Sequence, residues 1–298
     1  MALDDTWPEG TASSVDHAWI EQFKDECIHL AQQKGSKYRN AVRNVMCKAK
    51  SHNFERLGPS AAVEKTTRHT PTPIVDVTHS RRKVDLKDYL WGDLIDHEDA
   101  IRMLINANSE YAKNAGYAMG REWDMRVLQG MYAAATDGAG GSVAFDTANQ
   151  QIASGTTGMT IAKLTEAKYI MDDNDVPMDG RYIALAPRQL QDLLNTTEIT
   201  SADYNTVRAL VKGEINTFLG FDFIVSSLVD HADNLVSTET NCLAFQKDCV
   251  GLAVGQDTQI KVSERDDVSY ATQVFARFSC NATRIDDAGV VSILNAYS

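Results

Sequence analysis

Residues Arg181 to Ser227 read RYIALAPRQLQDLLNTTEITSADYNTVRALVKGEINTFLGFDFIVSS. Tyr182–Ala186, with Ile183, Leu185 and Ala186, is a continuous apolar run, the pattern of a strand covered on both faces. Pro187 suits the first turn of a helix, where its missing N–H would lack a partner in any case. It predicts a helix over Pro187–Leu194. A polar turn, a second helix over about Ala202–Val211 and an apolar strand over Phe221–Ser226 follow. Gly213 and Gly220 allow the chain to end that helix and turn sharply into Phe221–Val225. No catalytic residue type is placed conspicuously in this core.

Around this core lies a chain of 298 residues, long enough for a substantial interior. Its 43% hydrophobic and 23% charged content are ordinary for a globular protein. The net charge of −12 is unevenly spread. Residues 1–33 hold seven acids and one lysine, and residues 34–68 hold nine Lys/Arg and two acids, leaving −13 for residues 69–298. A basic segment in an acidic protein fits two partners, nucleic acid or the acidic surface of a sister chain; docking is favoured. Cys27, Cys47, Cys242, Cys249 and Cys280 show no C-x-x-C and no metal spacing with His, which favours reduced, packed thiols in a cytoplasm-like compartment. MALDDTWPEG has neither the basic nor the apolar region of a secretory signal. No run approaches the roughly 18 apolar residues of a membrane span.

From Asp16 to about Gln33, Trp19–Ile20, Phe23, Cys27 and Leu30–Ala31 recur at helical spacing, and Gly35 closes that helix. A second, basic amphipathic helix is expected from Tyr38, Ala41–Val42, Val45–Met46 and Ala49. Phe54 to Asp85 is polar, extended and broken by Pro59, Pro71 and Pro73, with Val75, Val77, Val84 and Leu86 suggesting a returning strand. As a two-stranded hairpin it would reach roughly 50 Å at about 3.3 Å per residue per limb, without a core of its own. Such a segment is either a long flexible loop or a finger laid across a neighbouring subunit.

Asp96 is placed as a helix N-cap, with Glu98 and Asp99 in the first turn. From His97 to about Ala134 apolar residues repeat at three- and four-residue steps, a helix of more than roughly 50 Å. Gly116 and Gly120 on it imply close packing or a kink. Asp137–Gly141 reads as a turn, without the lysine of a phosphate loop. Thr160–Met171 is a helix, followed by the acidic turn DDNDVPMDG, whose ligand alternation fails at Val176–Pro177 for an EF-hand. A strand near Leu243–Phe245, a short helix over Lys247–Ala253, and strands at Ile260–Val262, Tyr270–Phe278 and Val290–Leu294 complete the chain. Arg284–Val291 is expected as a hairpin joining the last two strands.

The order strand–Pro–helix–helix–Gly-x-Ile–Gly-Phe–strand–Ser, carried by Gly213, Ile215, Gly220, Phe221 and Ser226, resembles the central A-domain of tailed-bacteriophage major capsid proteins. The extended segment resembles that family's E-loop, the long helix its spine helix, and the Arg121–Asp124 spacing followed by Leu128 also matches. The closing Arg284-Ile285-Asp286-Asp287-Ala288-Gly289-Val290 matches too, with Asn281 where the family has glycine; asparagine tolerates left-handed backbone well. The resemblance runs from about residue 40 to the end. It implies an α+β, Hong Kong 97-like capsid fold with an N-terminal arm (1–52), an E-loop (53–86), a P-domain with the spine helix (87–155), an A-domain (156–255) and C-terminal strands returning to the P-domain (256–298). Arg68, Pro71, Pro73, Arg81, Arg82 and Lys83 of the loop, with Tyr38, Arg39 and Arg43 of the arm, are then the expected subunit contacts. Asp96, Arg121, Asp124, Pro187, Gly213, Gly220, Phe221 and Gly289 are expected to define the fold.

The resemblance further implies identical subunits in hexamers and pentamers, a scaffolding protein and portal, and enclosed double-stranded DNA without sequence-specific contact. It implies a place in the virion and assembly in the host cytoplasm; no cofactor, metal or membrane is expected from the residues, with a lattice cation at the acidic turn 172–180 as the open alternative. A nanocompartment shell of the encapsulin type, enclosing a protein cargo, is the alternative within the fold. An enzyme would need a site. Asp96-His97-Glu98-Asp99 is the best local cluster, yet acids there cap helices, and no G-x-S-x-G, H-E-x-x-H or phosphate loop is present.

Overall fold

Strand β8 (Arg181–Leu185) lies inside a six-stranded sheet because Ile183, Ala184 and Leu185 have nothing polar to present to water. Ile183, Ala184 and Leu185 are wholly buried, as is Ala186 beyond them. In this computed structural model, which describes residues 32–96, 107–195, 217–231 and 239–296, β8 pairs in parallel with β10 (Phe221–Val225) and antiparallel with β11 (Glu239–Gln246). On the outer side of β11 lie β14 (Val290–Ala296) and β7 (Gln151–Ile152); beyond β10 lies β9 (Thr217–Phe218). Leu219 and Gly220, both at positive φ (54° and 88°), make the two-residue turn from β9 to β10, where the twist of the hairpin demands that backbone. Helix α3 (Pro187–Asn195) starts on Pro187 as expected. Helix α2 (Ile161–Asp173) is capped by Thr160 and buries Leu164, Ala167 and Met171 in the same core. The helix expected at Ala202–Val211 and Gly213 lie outside the described residues.

A second layer is built on helix α1 (Ala107–Tyr132), which packs on a four-stranded sheet ordered β1 (Arg43–Met46), β12 (Val250–Arg265), β13 (Ala271–Arg284) and β4 (Lys87–Ile95). Met119, Trp123, Val127, Leu128 and Met131 of α1 are buried at the helical spacing read from the sequence. Trp123 and Tyr89 stack on Phe278 at ring separations of 4.9 and 5.0 Å. Residues 97–106, where the helix was expected to begin, lie outside the described residues; Asp96, its expected cap, stands exposed just after β4. A third sheet joins β2 (Ser51–Leu57), β3 (His79–Asp85), β5 (Ala135–Asp137) and β6 (Ser142–Val143). Asp137 closes the β5–β6 turn by accepting from Ala139 and Gly141 N–H groups.

Four readings are corrected. Tyr38–Ala49 is a short 3-10 turn (Arg39–Ala41) followed by strand β1. Apolar residues at 38, 41, 42 and 45 mimic a helix, but the N–H groups of Lys37 and Tyr38 are drawn to Asp124 instead. Lys247–Ala253 is helical only over Lys247–Cys249; from Val250 it is strand, paired residue by residue with β13. Lys87–Ile95, given no strand on sequence, is β4. Finally, β13 and β14 belong to different sheets, so Arg284–Gly289 is a crossing between sheets and no hairpin. The last strand therefore sits with β8 and β11, away from the α1 sheet to which the C-terminal strands were expected to return. Gly289 allows the crossing: a Cβ there would fall 2.1 Å from Cys249 Sγ.

Candidate assembly surfaces

The arm is fastened to the long helix through one carboxylate. Asp124 is fully buried on α1. It accepts from the backbone N–H of Lys37 (2.9 Å) and Tyr38 (3.1 Å), and from Ser36 Oγ and Gln33 Nε2. A buried carboxylate is tolerable when donors surround it in this way. Arg121, one turn earlier, donates to Gln32 Oε1 at 2.7 Å. Lys37 Nζ reaches Val225 O (2.7 Å) and Ser226 Oγ donates to Gln33 Oε1, so the arm also ties α1 to the end of β10. Tyr38 is wholly buried, and burial pushes its phenol pKa up. Arg39 lies over the Trp123 ring (4.6 Å) and grips Asp257 with two 2.9 Å hydrogen bonds, which hold that carboxyl below its usual range.

The loop between β2 and β3 stands on a second joint. Phe54 and Val84 pack with Cys47, Ala253 and Ile285 beneath the hairpin. Asp287 meets Arg82 (2.6 Å), Arg284 and, at 4.0 Å, Arg56, while Asp286 meets Arg56 at 3.4 Å. Arg284 has no exposed surface. It donates to the carbonyls of Met131, Ala133 and Ala144 and lies over Phe145, so it satisfies the C-terminal end of α1. Above this base the ladder ends at Leu57 and His79, with one further bond from Gly58 N–H to Thr78 O (2.8 Å). Residues 58–78 are nearly all exposed; Ile74 is 97% exposed and Val63 61%.

A buried arm clamp, a long helix on a four-stranded sheet and a six-stranded sheet share one continuous core, and a braced loop projects on a cluster of its own. A family model described as phage capsid protein matches residues 15–296. The chain belongs to the phage capsid protein family. The fold of this capsid protein is that of the capsid of Ralstonia phage GP4 (TM-score 0.74, 10% identity, covering 100% of this chain and 99% of that one). It is also that of the capsid of Cyanophage P-SCSP1u (0.72, 16% identity, 98% and 97%) and of the acid-stable capsid of Helicobacter pylori bacteriophage KHP30 (0.70, 9% identity, 98% and 99%). No curated protein matches the sequence. Neither the family match nor these structures favour the nanocompartment reading.

In the capsid protein the expected contact residues divide. Arg68, Pro71 and Pro73 stand exposed on the loop, and Arg43 is exposed on the edge strand β1. Arg81 pairs across the hairpin with Glu55 (2.8 Å) and Lys83 with Asp85 (3.2 Å). Tyr38 and Arg82 are corrected: both are buried in this chain's own packing, and Arg39 is held by Asp257. Among the fold-defining residues, Asp124 and Arg121 hold the arm, Pro187 opens α3, Gly220 lies in the β9–β10 turn, Gly289 makes room for Cys249, and Phe221 is buried beside β9. The acidic turn spends Asp172 on Arg181 (2.6 Å); among the described residues no group of three or more His, Cys, Asp or Glu could hold a metal.

Sequence reading missed two polar centres. One is Asp287. The other is Lys163, whose nearly buried ammonium donates to the carbonyls of Ser154, Thr157, Gly158 and Leu294 at 2.9–3.0 Å. Burial lowers its pKa, and the carbonyls tie α2 to β14. Its signal was available: position 163 shares a helix face with Ala167 and Met171. Cys242, Cys249 and Cys280 are buried, which pushes each thiol up to about 12, so they are packing groups.

Proposed function

We propose that this chain is the major capsid protein of a tailed bacteriophage, whose copies form the hexamers and pentamers of an icosahedral head. The observation that carries the reading is the loop 58–78, which is presented on a braced base and yet has almost no buried surface of its own. A projecting loop that reaches over the next copy makes a head-to-tail contact, which closes into a shell when the rotation closes. Arg68, Pro71, Pro73 and Ile74 are its contact residues, with Arg81 and Lys83 along the limbs and Arg43 on the β1 edge. Scaffolding protein and portal accompany assembly in the host cytoplasm, and the DNA is enclosed without sequence readout. The acidic bulk of the chain suits that role, since like charge keeps packaged DNA from sticking. Catalysis has no part in this reading.

The test is deletion of Pro59–Val77, which leaves Gly58 and Thr78 as a two-residue turn between the paired Leu57 and His79. The variant should stay soluble and folded and form no shells; normal shells on micrographs would refute the role of the loop. Nuclease-protected DNA inside wild-type shells supports the phage reading. A protein cargo in its place would return the nanocompartment alternative.

A further inference from the structure

Strand β4 is the outer member of its sheet. It pairs with β13 in unbroken register from Lys87 opposite Cys280 to Ile95 opposite Thr272. Among the described residues no strand pairs with its other edge. Nine residues thus present a row of backbone groups that a further strand could take up. One hydrogen bond identifies them. The Leu94 N–H is taken by the Asp93 carboxylate at 2.9 Å, so it points away from β13. Outward and inward residues alternate along an antiparallel ladder, which places the N–H and C=O groups of Asp88, Leu90 and Gly92 on the open edge as well.

The side chains on this edge are self-complementary. Leu90 and Leu94 lie opposite Arg277 and Gln273, on the face turned away from the buried Val274, Ala276 and Phe278, and are 70% and 43% exposed. Lys87 and Asp93 are exposed on the other face, and neither has an ion pair among the described residues. Charges on an edge strand commonly guard it against pairing. Here the order Lys87, Leu90, Asp93 reads the same in reverse with the charge inverted. A second β4 laid antiparallel about Leu90 brings each lysine opposite an aspartate. Moving the axis to Tyr89 or Trp91 sets Lys87 against Trp91 or Ile95 instead.

We propose that β4 is a self-pairing assembly edge: two copies of this chain align their β4 strands antiparallel about a two-fold axis at Leu90, which joins their four-stranded sheets into one. Lys87 then lies opposite Asp93 of the second copy, twice by symmetry, Tyr89 opposite Trp91, and Leu90 against its own equivalent. Such directly opposed pairs stabilise a strand junction. Asp88 faces Gly92, which has no side chain to obstruct it. The helices also fit. Helix α1 packs on β13 and β12, and β13 would be three strand spacings from its equivalent, about 14 Å, more than the roughly 8–10 Å of packed helices. The contact is symmetric and uses no residue of the loop 58–78, so it is separate from the head-to-tail contact of that loop.

The experiment is mild oxidation of full-length Leu90→Cys protein. Across the axis the two Cα atoms would be about 5.5 Å apart, within reach of a disulfide. Cys47, Cys242, Cys249 and Cys280 are buried, and the wild-type chain sets the background. The expected product is a disulfide-linked dimer, in about tenfold the yield from Tyr169→Cys, an exposed site on α2. Adding Lys87→Asp should cut that yield about fivefold by opposing like charges, and adding Asp93→Lys as well should restore it. A yield no higher than that of Tyr169→Cys would overturn the proposal. So would a charge reversal without effect, or one that the second reversal does not repair, in protein with the wild-type unfolding midpoint. The linked dimer should also form in the chain lacking Pro59–Val77, whether or not that chain makes shells. Its loss there would overturn the proposal too, because β4 would then meet β4 only through the loop.

Discussion

Strand β8 and the loop above β2 and β3 are opposite solutions to the placing of apolar side chains. In β8, Ile183 and Leu185 are closed in on both faces by the chain's own helices and strands. In the loop, Ile74 and Val63 stand in water while the limbs below are locked by Arg56, Arg82, Asp286 and Asp287. One region is complete in a single copy, and the other is rigid at its root and unfinished at its tip. The difference separates what the sequence says about folding from what it says about neighbours.

The contrast predicts which substitutions act on stability and which on assembly. Ile183→Ala should cost about 3–4 kcal/mol by leaving a cavity in a filled core, read as a fall in the unfolding midpoint of the unassembled chain. Asp124→Ala strands the N–H groups of Lys37 and Tyr38 and should cost about 2–3 kcal/mol. It should also release the arm, seen as faster hydrogen exchange at residues 36–42. Asp287→Asn weakens a partly exposed centre and should cost about 1–2 kcal/mol; exchange should quicken in β2 and β3 while β8 keeps its protection. Ile74→Asp should change stability by less than about 0.5 kcal/mol and still reduce shell yield, which would sharpen the contrast most directly. Equal losses of stability at Ile74 and Ile183 would break it.

The smallest effect is in pH. Arg39 holds the Asp257 carboxyl below its ordinary pKa, so this pair contributes stability above the ordinary carboxylate value and loses it as pH falls through the depressed one. The carboxylate is largely solvated, which limits the contribution to under about 1 kcal/mol. Asp257→Asn should flatten that part of the acid limb of the stability curve, and an unchanged curve would remove the pair from the account.

The central strand, Pro187, the long helix and the exposed proline-broken loop were legible because each rests on local chemistry: an apolar run, a fixed φ, a 3.6-residue repeat, a stretch with nothing to bury. The failures share another cause. Tyr38–Ala49 has helical spacing, but a carboxylate about 86 residues away in the chain collects its N–H groups. Arg284–Gly289 has the composition of a hairpin turn, but Arg284 is pulled under the end of α1 and Gly289 against Cys249, so the strands part into different sheets. Arg82 and Tyr38 look like surface residues in a basic stretch until Asp287 and the α1 core are known to lie opposite. The exposed loop 58–78 is legible as a stretch with nothing to bury, whereas a surface that would receive it has no local signature.

Arg284 and Asp287 carry one more consequence. The same guanidinium that holds the final carbonyls of the long helix is bonded to the carboxylate that grips the root of the projecting loop. Two side chains thus join the root of the loop to the last turn of α1 in one continuous chain of bonds, with Asp287 as the shared member.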